Sequence, residues 1–300
     1  MTLTVNSERA QQIVLRLYDA FSSRLGLLNE IEDLVENQIP PDVPPLSRDH
    51  SLFLFFTVAN DHGMKSSRLY AAAKQLFQKC RDLFEPRRIL ADFSSGDDPA
   101  LIEATARTLG VRYPREAARS WYANSLRLLE SFDGDPRRLF QSSSDARALL
   151  KEIRSFRGYG PKTGGMLLRA IVGLGFVTLD RIEDVLPPVD VHDSRISFLT
   201  GIVSDGAACE APSAHYYKYT VQIQTALKDA CNSSQVAWCD VDRALWLIGS
   251  RGCVGRRCHL CPLSDLCTVG REVIAVRTSS TPKRKPSSGV LPFNCSTQGP

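Results

Sequence analysis

Four cysteines crowded into fifteen residues, Cys253-x4-Cys258-x2-Cys261-x5-Cys267, constrain this chain more than any other feature. Thiols so close in sequence can wrap only one compact centre, and Pro262 turns the chain after the third. Zinc sites usually take two short Cys-x2-Cys knuckles separated by a longer span, which close a tetrahedron from two sides. Here one pair alone has x2 spacing. A single winding loop suits the four corners of an iron–sulfur cube, a [4Fe-4S] cluster, better than it suits zinc. Zinc and a metal-free loop stay open as alternatives on spacing alone. Arg251, Arg256, Arg257 and His259 stand between or beside the ligands. They would form a basic finger suited to phosphate, or simply offset the charge of the centre. The other five cysteines (Cys80, Cys209, Cys231, Cys239, Cys295) are scattered and read as buried thiols.

The remainder of the chain reads as mainly α. Ser7 to Gln38 carries a helical stripe of Ile13, Leu17, Phe21 and Leu25, ended by Pro40-Pro41. Ser51 is a candidate cap for the apolar run behind it, and the pattern at 65–80 makes that neighbourhood helical. Asp98-Pro99 opens a helix to about Leu109 as N-cap and N1 proline. Further helices are expected at 115–132, 144–155, 162–174, 191–201, 214–231 and 239–249. Regular strand alternation is missing.

At 300 residues the chain is long enough for two modest domains. Its 43% hydrophobic and 23% charged content excludes a collagen, a generally disordered chain and a disulfide miniprotein. The densest apolar run, LFLFFTVA at 52–59, falls short of the roughly 18 residues of a membrane span. MTLTVNSERAQQ has no basic region leading into a hydrophobic stretch. The expectation is an intracellular protein, in the cytoplasm and nucleoid or in a nucleus, without a membrane partner. Net charge is +4, and residues 271–300 hold all of it, five Lys/Arg against Glu272. That segment reads as a disordered basic tail from about 277, whose KRK holds phosphate loosely or does nothing. Residues 146–175 carry six Lys/Arg against Glu152, whereas 28–42 carry five acids and no base. Such segregation is what a one-sided polyanion footprint needs, and chance also produces it.

Within 146–175, two helical stretches meet at Phe156-Arg157-Gly158-Tyr159-Gly160-Pro161. The glycines permit a tight turn with unobstructed amides, and the second helix starts at once. Amides plus a helix N-terminus make an anion site, so this pattern predicts a helix-hairpin-helix that holds a DNA phosphate without reading sequence. A plain αα-hairpin is the alternative; a Walker loop is not matched. Lys162, in the first turn of the second helix, meets a dipole that disfavours its charge and so favours a nucleophilic amine. A solvated lysine is the simpler reading. Downstream, Asp190 in Val189-Asp190-Val191-His192 is a natural N-cap, with Asp193 at capping-box distance.

Taken together, Phe156–Thr163, Val189–His192 and the loop Cys253–Cys267 resemble the endonuclease III family of helix-hairpin-helix DNA glycosylase/AP lyases. The segment Leu245–Gly249 has the same flavour, and the resemblance covers roughly 46–270. It implies the two-domain helix-hairpin-helix glycosylase fold with a four-cysteine cluster loop. Its helical-barrel domain would be 46–175, its cluster domain 176–270 with the N-terminal helix of 1–45 packed on it, and its tail 271–300. It implies a monomer acting in base excision repair on double-stranded DNA that contains a damaged or modified base. Lys162 would form a Schiff base, Asp190 would stabilise the cationic sugar, and β-elimination would nick the strand. DNA contacts would come from Arg157, Gly158, Tyr159, Gly160, Thr163, His192, Arg256 and Arg257. Asn60 or His62 would fill the gap left by the flipped base. Cys253, Cys258, Cys261 and Cys267 would hold the [4Fe-4S] cluster. Oxidised pyrimidines are the family's default substrate. Oxidised guanine, another modified base, or a non-catalytic iron–sulfur DNA-binding protein are the alternatives. An adenine glycosylase would lack the hairpin lysine.

The chain departs from the family pattern in four places. Its first cysteine gap is x4 where the family has x6, and Arg157 replaces a proline. The 59–63 segment does not align. Lys162 and Asp190 are 28 positions apart, longer than usual, so the stretch 179–188 should bulge from the loop ahead of the aspartate.

Overall fold

Residues 3–206 and 212–279 are described in the computed structural model of the protein, and helices carry most of them. A short strand β1 (Thr4–Val5) leads into α1 (Ser7–Ser22), which Asn6 caps by accepting from Arg9 N. The helix stops well before Gln38. Arg24 and Gly26 turn the chain at φ +52° and +55°, and three 3-10 turns follow at Gly26–Asn29, Ile31–Asp33 and Val35–Asn37. A side chain on Gly26 would run into the Leu260 carbonyl, so the bend lies where the backbone presses on the cysteine loop. These turns still bury Leu27, Leu28, Leu34 and Val35, which is why the apolar stripe imitates a continuing helix.

Ser47, not Ser51, caps α2 (Arg48–Val58) by accepting from His50 N. This helix is buried all round, which explains its unbroken apolar sequence. Next come α3 (Ser66–Lys79), α4 (Pro86–Asp92) and α5 (Pro99–Leu101), the last continuing into a π-helical turn at Ile102–Arg107. Asp98 caps α5 as expected. They are followed by α6 (Pro114–Phe132), α7 (Pro136–Phe140), α8 (Ala146–Arg154), α9 (Pro161–Leu174) and α10 (Val191–Leu199). Strand β2 (Val203–Ser204) pairs antiparallel with β1. The chain ends in α11 (Pro212–Ser233), α12 (Trp238–Leu247) with a π-helical turn at Ile248–Cys253, and α13 (Thr268–Ser279). Residues 271–279 are thus helical where a tail was expected; 280–300, with the KRK, lie outside the described residues.

Helix α2 packs on α3, α7 and α9, with α8 on α9 and α6 on α4 and α7. Helices α1, α10, α11 and α12 pack on one another. One continuous apolar core runs through both groups. Its aromatic heart stacks Phe56 on Trp121 at 4.8 Å, with Phe53, Phe77 and Phe84 around them. Each such ring stabilises the fold by about 1.5–3 kcal/mol on burial. Among the described residues no helix is long and apolar enough to cross a membrane.

Three further expectations change here. The stretch 179–188 does not bulge: it is stitched to both helix groups. The Ile182 carbonyl accepts from Trp238 Nε1 and the Pro187 carbonyl from Gln224 Nε2, both at 2.7 Å, while Asp180 bonds through its backbone to Ser144 and Ala146. Charge segregated along the chain is also not segregated in space. The acidic run folds onto bases: Glu30 on Arg257, Asp33 on Arg251, and Glu36 on Arg169 and Arg243. Cys80 is exposed, whereas Cys231 and Cys239 are buried; Cys209 and Cys295 lie outside the described residues.

Candidate active site

One glycine, Gly158, makes the α8–α9 turn possible; Gly160 has an ordinary φ of −80° and open space beside its Cα. Gly158 has φ +85°, and a Cβ there would sit 2.7 Å from the Ala59 carbonyl. The turn is held from outside by Asn124 of α6, whose side chain accepts from Arg157 N and donates to Arg157 O, each at 2.9 Å. Thr163 holds it from inside, donating to the Gly158 carbonyl at 2.8 Å and accepting from Gly160 N at 2.9 Å. The Gly160 amide is therefore engaged within the protein, not offered to a phosphate. Tyr159 likewise turns inward: its ring is 3% exposed and its hydroxyl donates to the Phe55 carbonyl. Arg157 stays at the surface, paired with Glu116 at 3.2 Å.

Lys162 projects from the first turn of α9, and its Nζ lies 3.9 Å from Asp190 Oδ2. Its other contact is the Asp61 carbonyl at 3.4 Å. Asp190 caps α10 by accepting from His192 N and Asp193 N, and Asp193 Oδ2 accepts from Asp190 N at 2.7 Å. That reciprocal pair is the expected capping box, and it leaves Asp190 Oδ2 turned to the lysine. His192 is half-buried and receives Arg195 Nη2 on Nδ1 at 2.5 Å. Burial holds its imidazole below the usual histidine range. A side chain on Gly249 would collide with His192, so that glycine lets α12's continuation close on the site.

Of the two gap-filling candidates, Asn60 is buried and spends its amide on the Phe56 carbonyl. His62 is exposed and lies parallel to Tyr113 at 6.5 Å, with Arg112 over that ring. Sequence reasoning missed this rim of Arg112 and Tyr113. It also missed Asp61, 2% exposed, whose carboxyl accepts from Ser66 at 2.8 Å. Burial pushes that carboxyl above its usual range against the pull of Lys162. A polar residue in a short loop carries no sequence signal of burial. A hollow of about 490 Å³ between the start of α1 and α11 shares no residue with this site.

Cys253, Cys258, Cys261 and Cys267 are half-buried, in no disulfide, and within electrostatic reach of one another. Burial pushes the Cys261 thiol up to about 12, and the other three add to it. Four thiols without a competing carboxylate are the donor set of a thiolate-bound centre. Among the described residues, no three His, Cys, Asp or Glu side chains are gathered tightly enough to hold one metal ion. Arg257 is committed to Glu30 through two bonds at 3.0 and 2.5 Å, whereas Arg256 is exposed at φ +49°.

No protein-family model matches this chain, and no curated protein matches it significantly.

Proposed function

We propose that this protein is a bifunctional DNA glycosylase/AP lyase of the helix-hairpin-helix type, acting as a monomer on a damaged or modified base in duplex DNA. The observation that carries the reading is the approach of Lys162 Nζ to Asp190 Oδ2 at 3.9 Å, between a glycine hairpin and a capped helix. A flipped base would leave its sugar C1′ open to the amine. Lys162 Nζ bonds to C1′ as the base departs with the electron pair of the glycosidic bond and takes up the amine's proton. The C1′–O4′ bond then opens to give the Schiff base, which permits loss of a C2′ proton and departure of the 3′ phosphate by β-elimination. Asp190 faces the cationic sugar with a carboxylate oxygen that its cap contacts leave available. The amides at the start of α9, Arg157 and Arg256 would hold phosphate through contacts that weaken with salt. Tyr159 shapes the hairpin from the core and does not face DNA.

Cys253, Cys258, Cys261 and Cys267 would hold a [4Fe-4S] cluster. When bound, it supplies a rigid fastening for the loop that carries Arg256. Oxidised pyrimidines are the first substrate to try. The exposed rim of His62, Arg112 and Tyr113 is the surface that would meet the gap left in the duplex.

Borohydride trapping on duplexes with an abasic site, thymine glycol, dihydrouracil, 8-oxoguanine or 5-methylcytosine tests the reading. A covalent adduct lost in Lys162→Gln is expected, with the strongest duplex naming the lesion. No adduct on any duplex, with salt-sensitive DNA binding intact, would favour the non-catalytic alternative. Stoichiometric iron and sulfide are expected in the purified protein; zinc alone would overturn the cluster.

A further inference from the structure

Behind Asp190 lies a group the mechanism above does not use. Asp193, one turn into α10, is 3% exposed. Its Oδ2 accepts the Asp190 amide, and its Oδ1 is shielded from solvent with no donor to accept from among the described residues. The surrounding charges are largely matched. Arg169 of α9 serves Glu36 and Asp242, and Arg243 of α12 serves Glu36 and Asp240. Lys162 stands at Asp190, and Arg195 donates to His192. What faces Asp193 itself is acidic: Asp190 on its own helix and Asp242 on α12. From α11, Tyr219 packs on Phe198, and Gln224 is spent on the Pro187 carbonyl. The reciprocal capping box sets the Asp190 and Asp193 side chains against each other, close enough for a bond between the two carboxyls. Two carboxylates cannot make that bond; an acid and a carboxylate can.

We propose that Asp193 works as a neutral carboxylic acid whose O–H is shared with the Asp190 carboxylate, a positioning residue that holds Asp190 ionised and aimed at Lys162. Burial, then the charges of Asp190 and Asp242, push its carboxyl well above the usual aspartate range, in keeping with this state. Like-charged carboxylates at one site rarely both ionise. The shared proton spares Asp190 a second anion at its back. That anion would also favour the ammonium form of Lys162 and so oppose its attack. The inference rests on the lyase reading for its catalytic consequence, but the proton itself does not.

Two measurements on the full chain separate those two claims. Infrared difference spectroscopy of wild-type against Asp193→Asn at neutral pH should show a protonated carboxyl band in the wild type that the variant lacks. Absence of that band overturns the proposal whatever the activity. In borohydride trapping on abasic DNA, Asp193→Asn, which keeps an uncharged donor, should stay within about threefold of wild type. It should also lose the wild-type decline toward alkaline pH. Asp193→Val should fall by about tenfold or more with unchanged DNA affinity. An Asn variant as weak as the Val variant would mean that the anion is needed, and would overturn the proposal. A band present in a wild type that forms no adduct on any duplex would overturn the lyase reading and leave the shared proton standing.

Discussion

Gly158 shows how much one residue can decide. Its φ of +85° costs any other residue backbone strain, and the Ala59 carbonyl occupies the space a Cβ would need. Gly158→Ala should lose about 1–3 kcal/mol of stability in urea unfolding. Under the proposed function, DNA affinity should fall with it, because Ala59 leads directly into the loop bearing Asp61 and His62. At this scale the sequence was informative where a residue type has one plausible use. A Gly-x-Gly between helices, an Asp before a helix and a lysine in a first turn all sit where they were expected. It was uninformative about direction. Tyr159 and Asn60 carry polar groups as Arg157 and His62 do, yet they face inward, because facing depends on the neighbours that α2 brings. Asp193 could be read as a cap residue, but not as a buried acid with Asp242 behind it.

The helical elements depend on their caps and on a few cross-links between helices. Asn124 fastens the α8–α9 turn to α6 through both the N–H and the C=O of Arg157. Asn124→Ala leaves those two groups without partners and should cost about 1–3 kcal/mol. Faster hydrogen exchange at the Arg157 amide, with α2 still protected, would be its signature. The caps at Asp98 and Asp190 were legible in sequence because a short side chain before a helix has one local job. The end of α1 was not legible. The chain turns after it at Arg24 and Gly26, where Gly26 lies against Leu260, more than two hundred positions away, and local periodicity carries nothing of such a contact. His50 on α2 belongs to this scale too: burial holds its imidazole down at about 4. The unfolded chain therefore binds the extra proton first as pH falls below about 6.5, so stability declines from there toward about 4. His50→Gln should flatten that part of a plot of Tm against pH.

Across the whole molecule, Arg169 is the central link. It reaches from α9 to Glu36 on one side and to Asp242 on α12 on the other, with all three side chains nearly dry. Arg169→Met should cost about 3–5 kcal/mol, since it leaves the buried Asp242 carboxylate without a cation and Glu36 with Arg243 alone. Burial works to raise the Glu36 carboxyl, but Arg169 and Arg243 outweigh it and hold it below the ordinary glutamate value. Its contribution is present above that ordinary value and is lost as pH falls through the lowered one. Acid unfolding of the Arg169→Met protein should therefore begin at higher pH. The whole-chain charge pattern misled because the acids at 28–42 cancel bases from α9, α12 and the cysteine loop, a result only the fold can reveal.

The stitched connector has a mechanical consequence. With Ile182 and Pro187 held by α12 and α11, Asp180 held at the start of α8, and Arg169 locked between the same groups, the helices that flank Lys162 form a cross-braced jaw. A stiff jaw passes the cost of adjustment to whatever it grips. For a duplex, that means bending and unstacking at the site, which is cheapest where the helix is already weakened. Under the proposed function, a protein built this way would find damage by testing how readily DNA yields, before any pocket inspects the base.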